Sequence, residues 1–153
     1  MRQEFRKEIK LYPTDNKKLI PIPIEIPRGT ETLRIRFSWA PKDVDDLELG
    51  RKLMQDKVKS YSAACDGDPN IPEAVKGFWL NLAQDVDRFL PLRNLLNFSL
   101  YDPQGRFRGR WDSPQYFDKW MEIGKNTSRG FLPGGVAAGE WTLELEVHAL
   151  LSQ

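Results

Sequence analysis

The segment Leu19-Ile20-Pro21-Ile22-Pro23-Ile24-Glu25-Ile26-Pro27 constrains the fold more than any other part of the chain. Ile20, Ile22, Ile24 and Ile26 occupy every second position, the pattern of a strand with one face buried. Pro21 and Pro23 lie between them and have no N–H to donate to a ladder. The strand therefore belongs at a sheet edge or is only partly paired. Other segments repeat the two-residue period. Leu33, Ile35, Phe37 and Trp39 alternate with Arg34, Arg36 and Ser38. Trp141, Leu143, Leu145, Val147 and Ala149 alternate with Thr142, Glu144, Glu146 and His148. Residues 5–12 show a weaker version, with Phe5, Ile9 and Leu11 opposite Arg6, Glu8 and Lys10, and Lys7 interrupting the apolar row.

Between these strands the period changes. After Pro41, Leu47, Met54, Val58 and Tyr61 fall on one helical stripe with Leu53 beside it, which predicts a helix within 43–64. Cys65-Asp66-Gly67-Asp68-Pro69 reads as a break. Val75, Phe78, Trp79, Leu82, Val86 and Phe89 then predict a second helix, with Asn70 and Glu73 as a capping box, Pro72 in the first turn and Pro91 as the stop. Residues 43–90 are thus expected to form a two-helix insertion.

Strands resume with Leu96, Phe98 and Leu100. Asp102-Pro103-Gln104-Gly105 has the residues of a type I turn, and Phe107, Gly109 and Trp111 complete a hairpin. A further strand is expected within 115–124, with Phe117, Lys119, Met121 and Ile123 on one face; residues 126–139 read as loop. Seven or so short, half-polar strands with frequent turns predict a mainly β fold, an antiparallel β-sandwich of jelly-roll-like form with a two-helix insertion. No linker divides the chain, so residues 1–153 are expected to be a single sandwich domain interrupted at about 43–90.

The stretch Asn94-Leu-Leu-Asn-Phe-Ser-Leu-Tyr-Asp-Pro-Gln-Gly-Arg-Phe-Arg-Gly109, with Gly130-Phe-Leu-Pro-Gly-Gly135 and Ala138-Gly-Glu-Trp-Thr-Leu143, resembles the β-sandwich domain preceding the catalytic domain in some metallohydrolases of the polymerase and histidinol phosphatase type. It is similar also to jelly-roll-like accessory domains beside secreted peptidases. The resemblance covers about the last 60 residues and rests on the Asp-Pro-x-Gly hairpin and the Gly-x-Trp-x-Leu strand. It implies an accessory fold and no activity, because the metal-binding partner domain is missing; the segment 43–90 departs from its simplest form.

The residue inventory agrees with a non-catalytic chain. Its 23 Lys and Arg against 22 Asp and Glu leave no basic excess, so nucleic acid is not an expected partner. No apolar run reaches the roughly 18 residues of a membrane span, so a membrane is not expected either. One cysteine and one histidine cannot make a zinc site, and neither a metal nor a cofactor is expected. Cys65 has no base beside it and reads as an inert thiol; His148 reads as a surface residue. Ser99 and Ser113 lie in no nucleophile elbow. Asp66-Gly67-Asp68-Pro69-Asn70 lacks the glycine and distal glutamate of a calcium loop, and no lysine follows Gly134-Gly135 as in a phosphate loop.

The rows Arg34/Arg36 and Arg106/Arg108/Arg110 are expected to face Glu144 and Glu146 across strands, with phosphate binding as the weaker use. The expected function is accessory or protein-interacting, with a catalytic partner or a second copy as partner. The alternative is a carbohydrate-binding module using Trp111, Tyr116 and Trp120 with Arg108 and Asp112. The charged N-terminal sequence and single cysteine suit the cytoplasm, or a secreted location if an upstream signal has been removed.

Overall fold

The computed structural model describes residues 3–66, 68–112 and 119–151. The chain divides into two compact units, Met1–Lys42 with Asn94–Gln153, and Asp43–Arg93.

Among the described residues the first unit contains six strands: β1 (Leu19–Ile26), β2 (Leu33–Phe37), β3 (Leu95–Tyr101), β4 (Phe107–Trp111), β5 (Lys119–Ile123) and β6 (Gly139–Ala149). They form two antiparallel sheets. The larger has the order β1-β6-β3-β4, and the smaller pairs β2 with β5. β1 lies at an edge and bonds only to β6, as its prolines require. Its isoleucines point inward against Leu143, Leu145 and Trp141.

Both sheets line one hydrophobic core, in which Phe98, Leu100, Ile123, Trp141 and Val147 are fully buried. Phe37 of β2 meets Phe98 and Trp111 of the larger sheet at 5.2 and 5.8 Å, edge to face. Such aromatic contacts add about 0.5–1.5 kcal/mol each beyond the area they bury.

The expected hairpin joins β3 and β4. Gly105 N–H donates to Asp102 O at 2.8 Å and Asp102 N–H donates to Arg106 O at 3.0 Å. Gly105 sits at φ +72, where a Cβ would be strained.

One expectation fails in this unit. Residues 5–12 form no strand, and Phe5 and Ile9 are exposed; only Leu11 packs against the core. The interruption at Lys7 leaves too short an apolar row to hold a ladder. The strand expected within 115–124 is present as β5, with Met121 and Ile123 buried on the expected face; Tyr116 and Phe117 lie outside the described residues.

The second unit holds α1 (Leu47–Asp66), α2 (Glu73–Gln84) and a 3-10 turn at Val86–Phe89. Tyr61 of α1 stacks on Trp79 of α2 at 4.6 Å, and Arg51 bonds Asp87 at 2.8 Å. Val58 and Cys65 are buried. The expected capping box is not formed. Asp68 instead accepts from the Asn70 N–H at 2.8 Å, and α2 starts after Pro72 without a side-chain cap.

The ends of this segment meet. Asp43 and Arg93 form a β-bridge, and Val44 N–H donates to Leu92 O at 2.8 Å. Just outside it, Asn94 N–H donates to Lys42 O at 2.8 Å.

Candidate functional site

The residues expected to bind sugar do not share a surface among those described. Trp111 is in the core against Phe37, Trp39 and Phe98, so its ring is unavailable for stacking. Trp120 points out of the smaller sheet, 50% exposed, with the Arg36 guanidinium 5.9 Å from its ring centre. Tyr116 lies outside the described residues. Asp112 is exposed at the end of β4, 3.5 Å from Arg110.

Arg108 is buried at 8% exposure. A β-bulge explains this. Leu100 pairs with Gly109 but Tyr101 pairs with Phe107, so Arg108 is an extra residue in β4. The arginine alternation is broken there. Arg110 stays on the outer face, whereas Arg108 lies 5.1 Å over the Trp141 ring and donates to Gly135 O at 3.1 Å. Arg106 bonds Asp102. Of the five arginines expected to face Glu144 and Glu146, Arg34 bonds Glu122 instead at 2.9 Å, and Arg110 alone pairs with Glu146 among the described contacts.

That last pair organises the outer face of the larger sheet. Ser99 stands opposite Arg110, and Asn97 opposite Glu146, so the ion pair arches over the central strand β3. Asn97 and Ser99 are buried beneath it. With its amide oriented to suit both neighbours, Asn97 donates to Asp112 at 3.1 Å and accepts from Arg110 at 3.3 Å. A second bulge makes His148 an extra residue in β6, with its Nδ1 3.8 Å from Glu146. Leu95, Asn97, Arg110, Asp112, Glu146 and His148 line a depression of about 280 Å³.

Burial pushes the Glu146 carboxyl up, but the hydrogen bond and charge of Arg110, with help from His148, hold it below the ordinary 4.5. Burial likewise opposes the charge of Arg110, and Glu146 and Asp112 more than restore it. Asp102, in the hairpin, follows the same logic: burial raises it, and bonds from Arg106 and Gln104 bring it below the ordinary 3.8. A depressed carboxylate favours folding above its unfolded pKa, and the contribution is lost as pH falls through the folded value. The urea midpoint is therefore expected to fall steadily between about pH 5 and pH 2. Glu146→Gln should flatten part of that slope; an unchanged slope would contradict the pairing with Arg110.

Farther along the same face, Pro23, Thr142, Tyr101 and Phe107 line up across all four strands. The Tyr101 and Phe107 rings meet edge to face at 5.9 Å, and Phe107 is 47% exposed. The signal for this surface was the alternation itself: β3 and β6 place these residues opposite the core rows. The bulge at Arg108 and the burial of Asn97 and Ser99 have no such signal.

The helical unit has a different surface. Apart from Glu73, Lys76, Asn81 and Gln84, every residue of α2 is apolar or glycine, yet none is buried. Phe78 is 56% exposed and Leu80 is 59% exposed.

Among the described residues, no group of three His, Cys, Asp or Glu could hold a metal ion, and no helix is long and apolar enough to cross a membrane. No protein-family model, curated protein or solved structure matches this chain.

Proposed function

We propose that this chain is a non-catalytic interaction domain, an open β-sandwich unit interrupted by a two-helix segment that docks on a protein partner through α2. The supporting observation is the exposure of Val75 and Phe78, three residues apart on the apolar stripe of α2, with Leu80 exposed on another side of the helix. An amphipathic helix ordinarily buries its apolar stripe, and exposed apolar surface of this kind marks interaction sites. The sandwich reading draws on Phe37, whose ring touches both Phe98 and Trp111 across the core. An accessory role beside a catalytic partner in the cytoplasm belongs to the same proposal.

The Phe78→Ser, Leu80→Ser double variant tests it. Each change should cost no more than about 0.5 kcal/mol of stability, because neither side chain is buried. Sedimentation and co-purification from source cells should show a complex, with itself or with another protein, that the variant loses. A chain that forms neither kind of complex, or a complex indifferent to the variant, would sink the reading.

A further inference from the structure

We propose that the outer face of the larger sheet binds a neutral oligosaccharide. The polar groups would hold the hydroxyls, and the Tyr101–Phe107 pair would lie against a sugar ring. This surface belongs to the first unit and is independent of α2. The argument starts from charge. Arg110 is already shared between Glu146 and Asp112, one positive group between two negative ones, so the depression repels rather than collects anions. A cation would have to displace Arg110 from Glu146, whose carboxyl that pairing stabilises as the anion. What remains on offer are the spare lone pairs of two part-exposed carboxylates beside the part-exposed Arg110 fork, held in place by the buried Asn97 amide.

Each sugar hydroxyl both donates and accepts, and two on neighbouring carbons form a pair that planar amide, guanidinium and carboxylate groups match. The other half of sugar chemistry is the apolar C–H face of the ring, which an exposed aromatic covers. Phe107 and Tyr101 supply it on the same face. Ser99 separates Tyr101 from Asn97 by register, and two residues of strand advance about 6.8 Å. The aromatic row and the Asn97 row are thus about 14 Å apart, which asks for a chain of sugars rather than a single ring. The depression of about 280 Å³ lies at the small end for a ligand pocket and suits one unit of that chain. A sheet face already built from paired strands also needs little ordering on binding.

The test is a glycan array followed by titration calorimetry on the full chain. The probes are neutral glucan, xylan, mannan and galactan oligosaccharides, with inorganic phosphate, sulfated glycans and a lysine-rich peptide as competitors. Saturable binding of a neutral oligosaccharide is expected, weakened at least about tenfold by Phe107→Ala. Because Phe107 is exposed, that variant keeps the fold, which circular dichroism verifies. Arg110→Gln with Glu146→Gln removes both charges together and should weaken binding similarly. Phe78→Ser with Leu80→Ser should leave it unchanged, separating this site from the proposed protein-docking helix. Binding of no neutral glycan, binding indifferent to both sheet-face variants, or preference for phosphate, sulfated glycan or peptide would each overturn the proposal.

Discussion

Gly109→Ala is expected to lower the stability of the first unit by about 2–6 kcal/mol, from overpacking of about 1–3 and backbone strain of about 1–3. Gly109 sits at φ +143 on β4. A Cβ there would lie 2.5 Å from both the Cα and a ring carbon of Phe131, and 2.6 Å from Gly130 O. None of these atoms can give way cheaply. Arg110 N–H donates to Gly130 O at 2.9 Å, and Leu132 N–H donates to Arg108 O at 2.8 Å, so residues 130–132 are laced along the outer edge of β4. Gly29→Ala provides the control. Gly29 also has a positive φ, +81, but a Cβ there would meet nothing within 4 Å. It isolates the backbone cost. Urea unfolding of the two variants measures the difference. If Gly109→Ala costs no more than Gly29→Ala, the close docking of residues 130–132 on β4 is wrong.

Asp102→Ala is the second large effect, about 3–5 kcal/mol, the range for removing one partner of a buried charged pair. The Asp102 side chain is fully buried. Its carboxylate accepts from the backbone N–H groups of Gln104 and Arg106 at 3.0 Å each, and from Arg106 Nε at 2.8 Å. Arg108 Nη1 lies 3.9 Å away. Removing the carboxylate frees the turn amides and leaves Arg108 buried with less compensating charge, while its Nη2 has no hydrogen-bond partner among the described residues. Asp102→Asn should cost less, since its amide oxygen can still accept from the turn. It should also remove the share of acid sensitivity that Asp102 carries. Equal stability of Asp102→Ala and the parent protein in urea would refute the role given to this carboxylate.

The parts of the fold that depend on periodicity were legible. The isoleucine row and its prolines predict an edge strand, and β1 is one. The change of period after Pro41 predicts two helices, and Asp102-Pro103-Gln104-Gly105 predicts the hairpin turn. Six described strands in sheets of four and two stand against an expectation of seven or so. What alternation cannot carry is a change of parity. One extra residue at Arg108 turns that side chain toward Trp141 while Arg110 remains outside, and nothing in Arg106-Phe107-Arg108-Gly109-Arg110 marks which arginine turns. The sequence neighbours Arg108, Arg110 and Asp112 suggest a ligand surface for Trp111; the strand's own period puts it on the opposite, inner side. Asn97 and Ser99 read as wet-face residues, and their burial depends on an ion pair between two strands distant in sequence.

The meeting of Lys42 and Asn94 has an evolutionary consequence. Entry and exit of the helical segment are one hydrogen bond apart. The strands before and after it are therefore held at a spacing that owes nothing to the length of what lies between, and closing a longer loop adds only about 0.6 kcal/mol per doubling. This position is a socket. Whole helices can be lengthened, shortened or exchanged there over evolutionary time, and a new docking specificity acquired, without any strand in either sheet losing its register.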